Sequence, residues 1–428
     1  MVAELKERIE IFRNGKKSST SHTPPSQDIG RSNSKSLREK SGLKPGGQRG
    51  HEGHTLKIKE VPDVVTDHVM EYCPACGEDL EGITSELVEW KQEVIIPPIT
   101  PQYVEHRSHS RICKKCNNAC IAPLPGHLKA PIQYGATVSA LVAYLSVYQY
   151  LPYKRIAALV NNLLGLQLSE GTIDNMLEDV AQKALPMYDT IREKVQNSPV
   201  VGSDETGSHI AGKKGWFHTW QTTSLTFIAA SMNRGYQTIE RYYPKGFPQS
   251  VYVSDCWAAQ LKVPALLHQL CIAHLLRELL SFEQALACEW SKNMKVLFYD
   301  ALALKRKLLP TDYHHSNHEV FEINQRLQTL LNTEPTSNNQ KLAAFFKRLN
   351  KNKDSIFTFL YHPKVPPDNN GSERAIRNIK VKTKVSGQFR TERGAHRFAV
   401  IRSVIDTTLK NAENVLTALY LICNFVPE

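Results

Sequence analysis

The spacing of apolar residues predicts three consecutive helices in the middle of the chain. Apolar positions recur at helical intervals over residues 133–151 and 152–164, and again from Ser169 to about Leu185. Gly165 interrupts the second pattern, and the Ser169 hydroxyl can accept hydrogen bonds from the free amides of the next turn. A helix, a glycine turn and a capped helix outline a helix-turn-helix, but a helical hairpin that acts as scaffold has the same outline.

Beyond Pro199 the pattern changes to short runs of β-branched and aromatic residues. Strands are predicted over residues 200–203, 215–223, 225–231 and 250–254, with a further candidate strand over 267–273 and a short helix over 236–243. The first three strands can pair as a meander, and the fourth can join beside the first through a crossover connection. Strands one and four would then be parallel neighbours, roughly 4.8 Å apart.

The composition is that of a globular protein. Hydrophobic residues make up 41% and charged residues 22% of the 428 positions, which excludes a disordered chain, a collagen-like fibre and a small disulfide scaffold. The length suits roughly two to four domains. Ser139, Ser146 and Gln149 break the longest apolar stretch, so we expect no membrane span. The N-terminal residues carry no apolar signal core, so we expect no export.

The formal net charge of +11 favours a polyanionic partner. Residues 13–59 hold eleven Lys and Arg against three acidic residues, and they contain almost no apolar residues, which predicts a mobile basic arm. This arm is either a solvated linker or a tether that neutralises DNA phosphates through Lys16, Lys17 and Arg49. A second basic run, residues 374–397, is interleaved with apolar residues and therefore belongs to a folded surface. Its candidate DNA-binding residues are Arg374, Arg377, Lys380, Lys382 and Lys384.

Five of the nine cysteines fall between residues 73 and 120. Two C-x2-C pairs consist of Cys73, Cys76, Cys113 and Cys116. Such pairs can supply the four thiolates of one tetrahedral, structural Zn²⁺ site, in a zinc ribbon with strands over residues 87–96 and 102–111. Disulfides or unrelated free thiols are the alternatives, but disulfides are unexpected in a chain with no export signal. Cys120 is an alternative ligand.

Two aspartates follow directly on predicted strands one and four, namely Asp204 and Asp255. If those strands are parallel neighbours, the two carboxylates face each other across one gap, and a divalent cation relieves their repulsion. Oxygen ligands suit Mg²⁺ or Mn²⁺, and two ions about 3.5–4 Å apart support in-line phosphoryl transfer. Glu205 competes with Asp204, but adjacent strand residues point to opposite faces. We prefer Asp204 because Asp255 also follows directly on an apolar strand.

A third carboxylate is expected from residues 368–377. Asp368 or Asn369 can cap a helix that follows a pair of prolines. Glu373 would then lie one turn into this helix, with phosphate-binding arginines around it, as a nuclease site requires. The same Glu373 and Arg377 also fit an ordinary ion pair on a helix surface.

These residues resemble the bacterial transposases of the insertion-sequence-66 family, over nearly the full length of the chain. The motifs that carry the resemblance are Thr23-Pro24-Pro25-Ser26, Gly46-Gly47-Gln48-Arg49-Gly50-His51, the two cysteine pairs, Tyr150-Leu151-Pro152-Tyr153-Lys154-Arg155, Leu168-Ser169-Glu170-Gly171-Thr172, Asp204-Glu205-Thr206-Gly207, Cys271-Ile272-Ala273-His274 and Asp368 through Arg377. Each motif alone is modest, but their order together is highly specific.

The resemblance implies an α/β fold class: an RNase H-like mixed-sheet catalytic domain with a large helical insertion, preceded by a helical region and a zinc-ribbon module. It implies an Asp204, Asp255 and Glu373 triad that holds two Mg²⁺ or Mn²⁺ ions. Such proteins cut double-stranded DNA at the terminal inverted repeats of their element and join the freed 3′ ends to target DNA. We expect a homo-oligomer on DNA, small accessory proteins of the same element, and a place at the bacterial nucleoid in the cytoplasm. His274 and Arg277 either steady a phosphate or are polar residues of a helix cap.

We therefore expect six regions along the chain. They are a short helix at 1–15 that is a candidate coiled-coil remnant, a basic flexible arm at 16–58, a zinc ribbon at 59–127, a helical domain at 128–197, a catalytic domain at 198–410 with a helical insertion at about 275–354, and a helical tail at 411–428. Two other functions remain open: a non-catalytic, zinc-containing DNA-binding regulator, and a metal-dependent nuclease without strand transfer.

Overall fold

The computed structural model describes residues 46, 50–53, 55–314, 317–336 and 339–425. The described residues divide into two compact units, a smaller one that ends at Thr100 and a larger one that begins at Pro101. The predicted N-terminal helix, and Lys16, Lys17 and Arg49 of the basic arm, lie outside the described residues. No helix within the described ranges is long and apolar enough to cross a membrane.

The described part of the smaller unit contains one isolated β-bridge, between Tyr72 and Asp79. The strand predicted over residues 87–96 is wrong, because this segment has no regular secondary structure and no ladder partner. Val88 and Ile96 remain 95% and 84% exposed. Apolar alternation can form a strand only where a neighbouring strand takes up the backbone hydrogen bonds, and the described part of this unit offers none.

The larger unit begins with a short antiparallel hairpin of β1 (Ser110–Ile112) and β2 (Ala119–Ile121). The strand predicted over residues 102–111 is therefore mostly absent. Three helices follow, in the order that the apolar spacing predicts: α1 (Ala136–Ala143), which continues as a π-helix over Tyr144–Tyr148, then α2 (Tyr153–Leu164) and α3 (Glu170–Gln196).

The junction between α2 and α3 has the predicted chemistry. Gly165 ends α2 in the left-handed region at φ 66°, and the Ser169 hydroxyl accepts from the Thr172 amide at 3.0 Å. Helix α3 runs past the predicted end near Leu185 and through Pro186, because its buried stripe continues. A proline inside a helix removes one backbone hydrogen bond and crowds the preceding turn, at a cost of about 3 kcal/mol or more, and the packing of this stripe outweighs that cost.

The sheet has five strands in the order β5-β4-β3-β6-β7. They are β3 (Val200–Ile210), β4 (Lys213–Gln221), β5 (Thr226–Ser231), β6 (Phe247–Ser254) and β7 (Ala265–Leu270), with α4 (Tyr236–Tyr242) before β6 and α5 (Ala258–Leu261) before β7. Strands β3, β4 and β5 form an antiparallel meander, and β6 joins beside β3 in parallel. The predicted meander and crossover are thus confirmed, within a mixed α/β fold.

Seven helices follow the sheet in the described residues. They are α6 (Ile272–Leu286), α7 (Glu289–Lys307), α8 (His318–Asn332), α9 (Gln340–Lys351), α10 (Asn370–Ser386), α11 (Glu392–Lys410) and α12 (Val415–Asn424). Helix α11 packs on α3 and β5. Arg397 of α11 donates to Asp174 at 2.5 Å and approaches Glu178 at 3.5 Å. The first turns of α3 are therefore occupied by α11, which favours the scaffold interpretation of α2 and α3 over a DNA-reading helix-turn-helix.

Gly246 connects α4 to β6 in a conformation that only glycine adopts at low cost. Its φ is +60°, and a Cβ there would lie 2.2 Å from the Pro264 carbonyl oxygen. We expect Gly246→Ala to lower the free energy of unfolding by about 3 kcal/mol or more, from left-handed strain and backbone overlap together. Urea unfolding measures this loss. Gly212→Ala is the control, because Gly212 has φ +75° with open space around it. Equal losses for the two variants would contradict the overlap argument.

Candidate active site

The first two candidate carboxylates lie where the parallel pairing of β3 with β6 ends. Val200 pairs with Val251 and Gly202 with Val253. The same register, continued two residues further, brings Asp204 beside Asp255, with neighbouring strands about 4.8 Å apart. Asp255 is the first residue after β6. We call this end of the parallel pair, where β6 stops and β3 continues, the carboxylate recess.

Asp204 lies in the middle of β3, whereas the sequence predicted it at a strand end. Strand β3 continues to Ile210 because β4 pairs with it over its whole length, from Gly202 opposite Gln221 to Ile210 opposite Lys213. The recess exists because β6 stops, and the neighbouring strand β3 carries Asp204 past that point.

Adjacent residues Asp204 and Glu205 serve opposite faces of the sheet. On the Asp204 face, Ser208 lies 3.1 Å from Thr383 of α10, so α10 covers this side. On the other face, Glu205 accepts from Arg234 at 2.9 Å and from Gln260 at 2.8 Å. The helix that carries the third candidate carboxylate therefore lies on the Asp204 side.

Helix α10 is attached to β3 through the residue at its start. The Asn369 side chain donates to the Ser203 carbonyl at 2.6 Å, one residue before Asp204, and accepts from the Ser372 hydroxyl at 2.7 Å. The Asn369 amide donates to the Cys271 sulfur at 3.2 Å. Asp368 or Asn369 was predicted as the helix cap. Asn369 occupies the N-cap position, but its side chain makes no capping hydrogen bond and instead joins the helix to the sheet.

Two glycines permit this close approach of α10 to the sheet. A Cβ on Gly202 would lie within 3 Å of side-chain atoms of Gln221, Asn369 and Ser372, and a Cβ on Gly371 would lie 2.4 Å from Gln221. Lys410 in turn holds the Gln221 side chain by donating to it at 2.8 Å. The first turn of α10 therefore packs directly on the backbone of β3.

Glu373 lies in this first turn and contacts helix α6. Its carboxylate accepts from Arg277 at 2.8 Å, and Nε2 of His274 lies 3.8 Å away. The alternative Glu373–Arg377 surface pair is not among the ion pairs of the described residues. The buried Nδ1 of His274 has no hydrogen-bond partner in the described part of the chain. Both predicted auxiliary residues therefore lie beside the third candidate carboxylate.

The carboxylates in the recess act on one another electrostatically. Burial raises the pKa of Asp204 well above its ordinary value, and the charges of Glu205, Asp255 and Glu373 raise it further. Burial also lowers the pKa of His274, and the positive charge of Arg277 lowers it too. Carboxylates from a strand, a turn and a helix thus repel one another in one recess.

Their donor chemistry suits a hard divalent cation. Carboxylate oxygens are the ligands of Mg²⁺ and Mn²⁺, and their mutual repulsion is what such a cation relieves. As they stand, no three His, Cys, Asp or Glu side chains among the described residues are arranged closely enough to form a metal site. The fit therefore rests on oxygen donors and charge, and the ion would draw the carboxylates together.

Helix α10 also carries a basic face beyond Glu373. Arg374, Arg377, Lys380 and Lys384 are exposed at intervals of three or four residues, which aligns them along one side of the helix. None of the four belongs to an ion pair within the described ranges. We call these four residues the α10 basic face.

Lys382 differs from the other candidate DNA-binding residues of α10. Its ammonium approaches the Ser146 carbonyl at 3.3 Å, and burial lowers its pKa to about 8. Helical periodicity could have distinguished Lys382 from the exposed basic residues of α10. It lies three positions after the fully buried Ile379 and therefore on the buried side of the helix. We leave Lys382 out of the proposed DNA contacts.

The two cysteine pairs lie in different units, and each forms a similar turn. In the first, the Gly77 amide donates to the Cys73 carbonyl at 2.8 Å, and Gly77 has φ 76°. In the second, the Asn117 amide donates to the Cys113 carbonyl at 2.8 Å, and Asn117 has φ 57°. Backbone amides of the following residues lower the pKa of the Cys73 and Cys113 thiols, which favours the thiolate that binds metal. Cys120 lies on β2, outside either turn.

Asn369→Ala is expected to lower the free energy of unfolding by about 2–3 kcal/mol, because it leaves the buried Ser203 carbonyl without its donor. Urea unfolding measures this change. Asn411→Ala is the matched control: its amide also donates to two backbone carbonyls, of Ser224 and Thr407, but at an exposed position. A loss at Asn369 no larger than at Asn411 would show that the attachment of α10 does not depend on this side chain.

Sequence analysis did not identify Arg234, whose guanidinium pairs with Glu205 and stacks on two tryptophans. A lone arginine in a loop gives no periodic signal. The only indication in the sequence was Glu205, because a carboxylate on the second face of the sheet needs a positively charged partner.

The fold is mixed α/β, and its carboxylate recess lies beside a basic helix. This combination is typical of an enzyme that acts on nucleic acid. A family model described as "Transposase IS66 family" matches residues 131–397. This span covers well over half of the chain and includes Asp204, Asp255 and Glu373. The chain therefore belongs to the IS66 transposase family and is a DNA-processing enzyme. A search of curated proteins found no match.

Proposed function

We propose that the protein is a DNA transposase that cuts the ends of its insertion sequence and joins the freed 3′ ends to target DNA. The proposed catalytic residues are Asp204, Asp255 and Glu373, on a sheet that we assign to the RNase H-like type. The observation that carries the proposal is the parallel register of β3 with β6, which puts Asp204 beside Asp255, while α10, which packs on β3, carries Glu373 in its first turn and the α10 basic face after it. The family match supports the same assignment.

Each residue has a distinct proposed role. Asp204 and Asp255 would hold divalent ions between the two parallel strands, and Glu373 would complete the site from α10. When bound, two Mg²⁺ or Mn²⁺ ions would activate the attacking oxygen and stabilise the leaving oxygen of an in-line transfer. Arg277 neutralises Glu373 in the structure and would lie within reach of a phosphate at the same carboxylate. His274 would keep its imidazole neutral there, because burial lowers its pKa.

The α10 basic face would bind the DNA backbone next to the reacting phosphate. From Arg374 to Lys384 the helix rises about 15 Å, a length that spans several phosphates of one strand. The face begins directly after Glu373, so phosphates bound along it would continue into the recess. The proposed partner is therefore double-stranded DNA of the element ends and of the target. Assembly as a homo-oligomer on DNA, with accessory proteins, belongs to the same proposal.

A structural Zn²⁺ bound by Cys73, Cys76, Cys113 and Cys116 is a second part of the proposal. The repeated turn at each pair and the lowered pKa of Cys73 and Cys113 support it. The family match begins at residue 131 and does not include these cysteines.

The products of the reaction test the proposal against its alternatives. A labelled duplex of the terminal repeat is incubated with the protein and Mg²⁺ or Mn²⁺, with a target plasmid, and with companion proteins in a second arm. Metal-dependent joined products are expected. Cutting without joining in both arms would indicate a metal-dependent nuclease. Tight binding without cutting in either arm would indicate a DNA-binding regulator and overturn the catalytic assignment.

A further inference from the structure

Glu205, next to Asp204, is the centre of a buried polar network on the opposite face of the sheet. Its side chain is only 2% exposed. Arg234 donates to Oε1 through Nε at 3.1 Å and Nη2 at 2.9 Å, while Gln260 of α5 donates to Oε2 at 2.8 Å. Both carboxylate oxygens are therefore occupied by side chains from elements outside β3. Both partners come from segments that follow β3 in the chain.

The Arg234 guanidinium lies over two indole rings. It lies 3.8 Å from the Trp257 ring centroid and 4.8 Å from that of Trp216. The preceding carbonyl, of Asn233, accepts from Thr238 at 2.7 Å and lies 3.1 Å from a ring nitrogen of His218. A planar cation that donates to a carboxylate through two nitrogens and lies over two indoles loses much of its freedom to rotate.

This network reaches the second candidate carboxylate through Trp257. The Trp257 amide donates to Oδ1 of Asp255 at 3.0 Å, so the residue that stacks on Arg234 also orients Asp255. Gln260 adds a second connection, because it accepts from the buried Tyr252 hydroxyl of β6 at 2.7 Å. The turn after β6 is thus tied to β3 by contacts that do not involve Asp204.

We propose that Glu205, Arg234 and Trp257 form a clamp that positions Asp255 opposite Asp204 and thereby sets the affinity of the recess for divalent cations. This inference rests on the proposed function, since it assumes that the two aspartates share a metal ion. The residues of the clamp are positioning residues and do not touch the ion. Side chains that orient metal ligands typically change metal affinity by about 10- to 100-fold when they are removed.

The test is Mn²⁺ binding to the full chain without DNA, measured by electron paramagnetic resonance. We expect Trp257→Ala and Arg234→Lys to raise the Mn²⁺ dissociation constant about tenfold or more. Arg234→Lys keeps the charge but loses the planar fork and the stacking. Trp257→Phe keeps a stacking face and should restore binding to within about threefold of wild type. Arg326→Lys, in an exposed pair with Asp300, is the matched control and should bind as wild type does.

A second measurement separates positioning from general stability. The Mn²⁺ concentration for half-maximal DNA cleavage should rise in parallel with the dissociation constant, while cleavage at saturating Mn²⁺ recovers most of its rate. A lowered melting temperature with unchanged Mn²⁺ binding would overturn the clamp and leave the proposed transposase standing. If Trp257→Ala does not fold, the Mn²⁺ dissociation constant of Arg234→Lys is the deciding measurement for the clamp. If Asp204→Asn binds Mn²⁺ as tightly as wild type does, the proposed metal site and the clamp are both wrong. The same follows if the wild-type protein binds no Mn²⁺.

Discussion

Asp204→Asn is expected to lower the rate of DNA cleavage by at least about a thousandfold, because an amide is a poor ligand for a hard cation. Loss of a metal contact that stabilises transition-state charge is worth several kcal/mol, and each 1.36 kcal/mol is about tenfold in rate. The measurement is single-turnover cleavage of a terminal-repeat duplex at saturating Mn²⁺. Asp255→Asn and Glu373→Gln should give losses of similar size if the three residues act as one site.

The same substitution should leave the metal-free protein at least as stable as wild type. Burial and the charges of Glu205, Asp255 and Glu373 raise the pKa of Asp204, so an ionised Asp204 costs folding free energy in the metal-free protein. A neutral Asn removes that repulsion. Melting without metal measures this, and added Mn²⁺ should stabilise wild type but not the variant.

Asp300→Asn is the matched control for these variants. Asp300 pairs with Arg326 in the helical insertion, with its side chain 45% exposed, and its loss should change cleavage by less than about twofold. Cleavage by Asp204→Asn within tenfold of wild type would remove Asp204 from the catalytic set. In that case Glu205 would become the carboxylate to test.

Neutralising the α10 basic face should weaken DNA binding by about a hundredfold or more at moderate salt. Four alanines in place of Arg374, Arg377, Lys380 and Lys384 remove four candidate phosphate contacts. The slope of the logarithm of affinity against the logarithm of salt concentration should fall by about four, since each lost contact reduces it by about one. Fluorescence anisotropy over a series of salt concentrations measures both quantities.

A variant with the same charge change on another surface controls for net charge. Lys341, Lys347, Lys351 and Lys353 are exposed on and just after α9, and none of them belongs to an ion pair of the described residues. Alanine at these four positions should change the slope of the logarithm of affinity against the logarithm of salt concentration by no more than about one. Equal effects of the two variants would mean that overall charge, rather than the α10 face, binds DNA.

The strand order was predictable because strand pairing obeys local rules. Alternating runs with short connections favour a meander, and the longer connection through α4 returns β6 beside β3. That order alone predicted that Asp204 and Asp255 are neighbours. It did not predict how far β3 extends, since the extension depends on pairing with β4 over the whole length of β3.

The third carboxylate shows where sequence reasoning stops. A capped helix with Glu373 in its first turn was predicted from a few local residues. Its partner Arg277 lies 96 positions earlier in the chain, and no local pattern links the two. Helical periodicity separates Lys382 from Lys384, but only the structure shows that Lys382 is half-buried against Ser146 while Lys384 is exposed.

The sequence by itself determined the order of the strands, the class of ligand chemistry and the resemblance to the family, because these depend on local spacing and on residue type. Only the tertiary structure decided the attachment of Asn369 to β3, the pairing of Arg277 with Glu373 and the contacts of Arg234 with two tryptophans. Each of these contacts joins residues that are far apart in the chain. Their formation depends on how the helices pack on a completed sheet, which local preferences do not specify.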